Sequence, residues 1–345
     1  SNYWETLGGF LLRTWDTSRE VLDVSQAQGN YFTVVRARDQ LGAIGVSLAP
    51  GPIITGPSSV LTVAAVTAML DTALATNDDD HVMTTVDSIS RSFDNVGGDR
   101  HAAMSIIIDS LSTGASILET APEGLQKMSL VLDSIVDYSN ETLSFDNLDK
   151  TIGVMDKTLE YTRNDTISQG INAITQQSGT AFLKTIMNVN PNANDRVRST
   201  LNATTVKAIG RRVENLISNL GSTAILSLAI GSNTSLSNTD SNQQTINLIL
   251  HRVSLQDAQT SGINVDGLEV PAAAVASITA QQPAAARRLQ TSSTCNDLGV
   301  HQHEWLRSNP YYWAPPDLGY NSLVSRNTDV KIVELWACGS AVAFN

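Results

Sequence analysis

The pair His301 and His303, with one residue between them and Glu304 directly after, is the grouping in this sequence best suited to chemistry. Positions i and i+2 of a strand point to one face, so the two imidazoles would stand side by side as zinc or copper ligands do. A metal would need a third ligand from elsewhere, and histidines standing exposed on a strand beside an aromatic such as Trp305 are the commoner arrangement. His301 and His303 are therefore weak metal candidates, and no cofactor is expected. Asn77-Asp78-Asp79-Asp80 lacks the spaced oxygen ligands and glycine of a calcium loop. N-capping by Asp80 of a helix beginning at His81 explains it more simply. Ser, His and Asp are all present, but no Gly-x-Ser-x-Gly elbow and no Walker phosphate loop occurs, and Gly97-Gly98-Asp99 reads as a lone turn. No catalytic residue follows from these patterns.

Other side chains bear on location and partners. Cys295 and Cys338 are the two cysteines of the chain. In an oxidising compartment they could close one loop, with about 4 kcal/mol on a chain-entropy estimate; two free buried thiols are the alternative. Asn140, Asn164, Asn202 and Asn233 each begin an Asn-x-Ser/Thr sequon, which tests for passage through the secretory route. Asn140 and Asn164 fall near expected helix ends. Tyr311, Tyr312 and Trp313, bracketed by Pro310 and by Pro315 and Pro316, could contact a ligand at a loop tip or plug the end of a sheet sandwich. The plug is favoured, because aromatics make up 5% of the chain and scarce aromatics usually serve cores.

The elements that must position these residues fall into three stretches. Residues 1–57 carry β signals, including Gly9 to Leu12 and a hairpin. Its first strand runs over 31–38, its turn over Asp39-Gln40-Leu41-Gly42, and its second strand over 43–48. Pro50-Gly51-Pro52 through Gly56-Pro57 then interrupts regular structure. Residues 58–221 read as an irregular helical layer. A first helix is capped by Ser58 or Ser59; a second over 80–93 has Val82, Val86, Ile89 and Phe93 on one face. Others span 102–118, 122–138, 148–161, 167–187 and 204–220. Residues 222–345 read as a β-sandwich cut short at its C-terminal end, with strands at 224–230, 245–255, 268–270, 300–306, 321–325, 329–336 and 341–344. The imperfect alternation around Glu334 suits burial on both faces. The biased run over 281–294 reads as a surface loop. The class is α+β.

Bulk composition narrows the functional classes. A net charge of −12, from 22 basic and 34 acidic residues, repels phosphate backbones and anionic lipid surfaces, so nucleic acid is not an expected partner. Charged residues amount to 16%, below the usual quarter, and hydroxyl and amide side chains take their place, a trait common among secreted proteins. No apolar run reaches the roughly 20 residues that span a bilayer. The best, over 60–70, is broken by Thr62 and Thr67 and reads as a buried helix. The beginning at Ser1 and the end at Asn345 both read as cut, with any membrane anchor outside this stretch.

The hairpin phrase from Tyr31 to Ala43, the helical stretch, the run Asn309-Pro310-Tyr311-Tyr312-Trp313 and the paired-strand segment Val324 to Leu335 with Gly339 to Val342 together resemble the membrane-proximal ectodomain of the receptor-like polycystins. There a receptor-for-egg-jelly region of Ig-like and fibronectin-like modules leads into a GAIN domain. The resemblance implies that 1–57 is the end of an Ig-like or fibronectin-like module, and that 58–221 and 222–345 are the helical and sandwich subdomains of a GAIN-like domain. It also implies an extracellular location on a plasma, ciliary or flagellar membrane, reached through segments outside this chain. That family's His-Leu-Ser/Thr cleavage tripeptide does not occur here, so no autoproteolytic residue carries over. The leading expectation is a non-enzymatic glycoprotein module that positions distal domains or a partner subunit. The alternatives are a module that binds a glycan or an extracellular filament and, less expected, a metal-dependent enzyme built on His301 and His303.

Overall fold

A computed structural model describes residues 29–31, 34–38, 44–48, 53–55, 61–76, 79–93, 96–114, 124–138, 144–169, 174–191, 197, 201–239, 243–265, 267–280, 297–306, 330–337 and 340–341. They form a mixed helix and strand fold of the α+β kind, and the chain divides into two compact units, Ser1–Gly114 and Ala115–Asn345. Among the described residues no helix is long and apolar enough to cross a membrane.

In the first unit, β1 (Gly29–Tyr31) pairs antiparallel with β4 (Ile53–Thr55), and β2 (Val34–Arg38) pairs antiparallel with β3 (Ile44–Leu48). The β2–β3 pair is the expected hairpin. The stretch expected to be a linker instead contributes β4, because the β-branched run Ile53-Ile54-Thr55 favours extended backbone even between prolines. Two-residue strands β5 (Leu61–Thr62) and β6 (Val96–Gly97) pair in parallel. Helix α1 (Val63–Ala75) is capped by Thr62, whose hydroxyl accepts from the Ala65 N–H at 3.2 Å, rather than by Ser58 or Ser59. Helix α2 (Asp79–Arg91) begins two residues before His81, so Asp80 lies inside its first turn instead of capping it. Residues 82–90 are buried all round, including the expected face of Val82, Val86 and Ile89. Helix α3 (Arg100–Gly114) starts after Gly98, whose φ of +92° demands glycine, and Asp99, whose carboxylate accepts from the Ala102 N–H at 3.1 Å. The lone turn is therefore a helix start.

The second unit contains α4 (Gly124–Tyr138), α5 (Phe145–Gln169), α6 (Gln176–Val189) and α7 (Ala203–Leu226). Residues 167–187 were expected to form one helix; the chain breaks there because Thr175 and Ser178 form a reciprocal capping box that starts α6. Residues 224–226, expected in a strand, are the last turn of α7, an apolar run that periodicity alone assigns to neither class. A sheet follows in the order β13-β12-β11-β8-β7, all antiparallel: β7 (Asn233–Thr239), β8 (Thr245–Ser254), β11 (Asp297–Leu306), β12 (Val330–Ala337) and the short β13 (Ser340–Ala341). Between β8 and β11 lie α8 (Leu255–Ser261), a small pair β9 (Ile263–Val265) and β10 (Leu268–Val270), and α9 (Ala272–Ala280).

Strand alternation sorts the sheet into two faces. Leu298, Val300 and Leu335 point to one and close a cluster with Ala258, Ile263 and Val275 from α8, β9 and α9. Gly299, His301, His303 and Trp305 point to the other, in register with Leu250 and Leu248 on β8 and with Glu334 and Trp336 on β12. Helices α6 and α7 pack there. The double burial expected of β12 holds at Leu335, packed toward α8 and its neighbours, and at Trp336 on the α7 face, whereas Val330 and Ile332 to Glu334 are half-buried and Lys331 is exposed.

How a chain so poor in charge fills buried helical positions is visible in its hydroxyls. Thr151, Thr158, Thr162 and Thr185 are buried, and each returns its hydroxyl to the carbonyl four residues back at 2.8 to 3.1 Å. A buried hydroxyl so satisfied avoids a desolvation cost of about 1–3 kcal/mol. Ion pairs then fix helix to helix: Lys184 to Asp133 at 3.2 Å joins α6 to α4, and Arg212 joins α7 to both Asp149 and Asp156 of α5.

Two glycines let α7 lie directly on the sheet. A Cβ on Gly221 would come within 2.5 Å of the His301 ring, and one on Gly299 within 2.8 Å of Ile225. Arg252 then fastens the end of the helix. Its guanidinium donates to Asp297 at 2.6 Å and to the carbonyls of Leu226 and Leu228 at 3.1 and 2.6 Å. Replacing Gly221 by alanine should cost about 1–3 kcal/mol, because a fully buried ring has nowhere to move. Gly153→Ala in α5, where an added methyl meets nothing within 4 Å, should instead stabilise by roughly 0.5–1 kcal/mol. Urea unfolding of the two variants, shifting in opposite directions, is the measurement; equal effects would show that α7 does not depend on the close approach.

Candidate functional site: a buried histidine and carboxylate cluster

His301 and His303 stand side by side on β11 as their spacing predicts, with ring centroids 5.2 Å apart and planes tilted by 45°. They are not exposed. Their relative exposures are 0% and 1%, because α7 covers this face of the sheet. Glu304, one residue further, points to the opposite face and pairs there with Lys331 at 3.3 Å and with the Gln302 amide at 3.1 Å. The three residues that read as one cluster are thus divided by the pleat.

Each imidazole meets a different carboxylate. His301 Nδ1 lies 3.2 Å from Glu334 Oε2 on β12, and His303 Nε2 lies 3.2 Å from Glu214 Oε2 on α7. A carboxylate oxygen can only accept, so His301 carries its proton on Nδ1 and donates it to Glu334. The same Glu334 oxygen also accepts from the Ser218 hydroxyl of α7 and from the Trp336 indole N–H at 3.4 Å. The Trp336 ring in turn lies 6.0 Å beneath the Arg163 guanidinium of α5.

Burial decides the charge states. Desolvation holds His301 below the ordinary imidazole value of 6.5, with Glu334 pulling the other way, so the ring is neutral at neutral pH. Burial alone would raise the Glu334 carboxyl, but the hydrogen bonds donated by His301 and Ser218 outweigh it and bring the group to about 2. On α5, burial pushes Asp156 up despite Arg212 beside it.

Ser218, Glu334 and His301 have the residue types of a hydrolytic triad in the wrong order. A nucleophilic serine must give its proton to histidine while the carboxylate orients that histidine from behind. Here the carboxylate occupies the centre, accepts from both, and holds them still. Nor do the histidines share a ligand set: among the described residues no group of three or more His, Cys, Asp or Glu is placed to hold a metal ion.

The remaining candidates are distributed over the fold. Asn202 is exposed and caps α7, its Oδ1 accepting the Thr205 N–H at 2.9 Å. Asn233 is exposed at the first position of β7. Asn164 is exposed too, but it lies within α5 instead of past its end, because the helix runs on to Gln169. Cys295, Cys338, Asn140, Tyr311, Tyr312, Trp313, the loop at 281–294 and the strand at 321–325 lie outside the described residues. Sequence reasoning passed over Glu214, Ser218 and Arg252 as partners. Glu334 had left a signal, since alternation puts it on the same face as Ile332 and Trp336, where a half-buried carboxylate needs a donor.

The chain matches no family model and no curated protein.

The Glu334 cluster sets an acid limit on the fold. With the folded carboxyl at about 2 and the ordinary value at 4.5, its contribution is present above pH 4.5 and is lost as pH falls through that window. Glu334→Gln should lower stability at pH 7 by about 1–2 kcal/mol and flatten the decline between pH 5 and 2. Urea midpoints across that range are the check, and an unchanged acid slope would remove Glu334 as its cause.

Proposed function

We propose that this chain is a structural and interaction module on the extracellular side of a polycystin-like membrane protein, where it positions distal domains or a partner subunit relative to the bilayer without catalysing a reaction. The carrying observation is how its chemistry-bearing side chains are used. Glu334, His301, Ser218 and Arg252 hydrogen-bond across α7 and the sheet, His303 lies 3.2 Å from Glu214 of α7, and Arg212 and Lys184 join helix to helix. Such cross-bracing suits a part that must keep its shape.

In this reading the β2–β3 pair is the closing hairpin of an Ig-like or fibronectin-like module. Helices α1–α7 correspond to the helical subdomain of a GAIN-like domain, and the sheet from β7 to β13 to the β subdomain that follows. The exposure of Asn164, Asn202 and Asn233 supports a glycosylated surface, and Asn202 can carry a glycan on its nitrogen while its oxygen still caps α7. The net charge of −12 disfavours lying flat on anionic lipid, in keeping with a part held above the membrane by its neighbours.

Surface labelling of intact cells that express the full-length gene product with a tag is the test. The protein should react with an impermeant amine reagent, and peptide-N-glycosidase should lower its apparent mass, the shift shrinking when Asn202 and Asn233 are replaced by glutamine. Labelling that required permeabilised cells, with no glycosidase shift, would overturn the extracellular reading.

A further inference from the structure

We propose that the His301 and His303 pair is an acid-operated latch: mild acidification loosens α7 from the sheet while the helix pairs α4–α6 and α5–α7 stay together. This goes beyond the placement of the module and holds wherever the chain resides.

The geometry supplies the parts of a two-state device. The rings are buried, 5.2 Å apart, and closed over by Gly221, whose missing side chain leaves His301 in direct contact with the helix backbone. His301 donates through Nδ1 to Glu334, and its Nε2, where a second proton would go, has no hydrogen-bond partner among the described residues. A proton there finds no acceptor among the described residues and makes the ring a buried cation beside a second buried imidazole.

The charged groups around the pair limit how the cation could be tolerated. Glu334 comes from β12 and Glu214 from α7. Arg163 from α5 reaches the far side of Trp336 and adds positive charge, and β8 contributes the apolar Leu248 and Leu250 beside the rings and, further along, Arg252, which is bound to Asp297. Arg212 on α7 is turned to Asp149 and Asp156, and Lys184 on α6 to Asp133. The carboxylates attract the new charge, but burial opposes it more strongly, as the depressed value of His301 records. Water entering between α7 and β11 relieves the cost.

The sign follows from proton uptake. His301 takes its proton only once α7 has opened, so opening is suppressed above the ordinary imidazole value of 6.5 and promoted below it. Between pH 7.4 and 5.5 that single uptake can favour the open form by at most about tenfold, the ceiling for one proton with an ordinary value of 6.5.

Hydrogen exchange on the whole chain at pH 7.4 and 5.5, corrected for the intrinsic pH dependence of exchange, reads the device directly. Peptides from 213–226 and 298–305 should open more often at pH 5.5, by up to about tenfold, while peptides from 128–136 and 181–189 should not. Equal protection of 213–226 at the two pH values, or a uniform loss over all four segments, overturns the proposal. The double variant His301→Asn, His303→Gln keeps an N–H near each donor position and cannot titrate. It should abolish the difference, and a variant that folds yet keeps it overturns the proposal too. If the variant does not fold, the comparison within the unaltered chain still decides.

Discussion

Helix and sheet in the second unit are closer than side chains on both surfaces would allow, and that closeness governs what surrounds it. Packing at native density leaves no slack, so the approach of α7 requires the absence of a methyl group at Gly221 over His301 and at Gly299 under Ile225. The same device recurs at Gly179 of α6, where an added Cβ would lie 2.6 Å from Leu236 on β7. Once the layers are that near, water is excluded from His301 and His303, and a polar atom between them depends on the few partners within reach. Glu334 answers this by drawing three donors to one oxygen, and Arg252 by spanning Asp297 and two carbonyls at the end of α7. The electrostatics of the cluster are a consequence of the packing.

The elements with a strong apolar rhythm were legible in the sequence. The β2–β3 hairpin, α2 with Val82, Val86 and Ile89 inward, and strand β8 announce themselves through alternation or helical spacing, while β11 and β12 were expected at 300–306 and 329–336 in spite of imperfect alternation. Where the rhythm is faint, chemistry of a few residues decided the outcome. The gap between α5 and α6 rests on a capping box that uses Ser178 where glutamate or glutamine is the readable sign. Strand β7, Asn233–Thr239, has Leu236 as its one apolar side chain and so offers no rhythm to read, yet it pairs with β8 along its whole length. Residues 224–226 look like a strand because a helix end buried on all sides loses its polar face.

The site was half legible. That His301 and His303 share a face follows from alternation, and so does the exile of Glu304 to the other side. That the shared face is roofed by α7 does not follow, since nothing local to β11 says which helix will cover it. Glu214, Ser218 and Glu334 come from elements far apart in the chain, and no spacing rule connects them. Beside the His-x-His pair stand two carboxylates, one per ring, from β12 and from α7.

The bond between Ser218 and Glu334 joins residues 116 positions apart. A ribosome working at 5–20 residues per second therefore completes α7 roughly ten seconds before the strand it is to meet can be finished. For that interval α7 has α5 and the β7–β8 pair to lie on, but Ser218 lacks Glu334 and, until β11 is made, Glu214 lacks His303. Topologies of such high contact order fold slowly and leave greasy surface in view while they wait. The join between α7 and β12 is thus among the last contacts of the unit to be made.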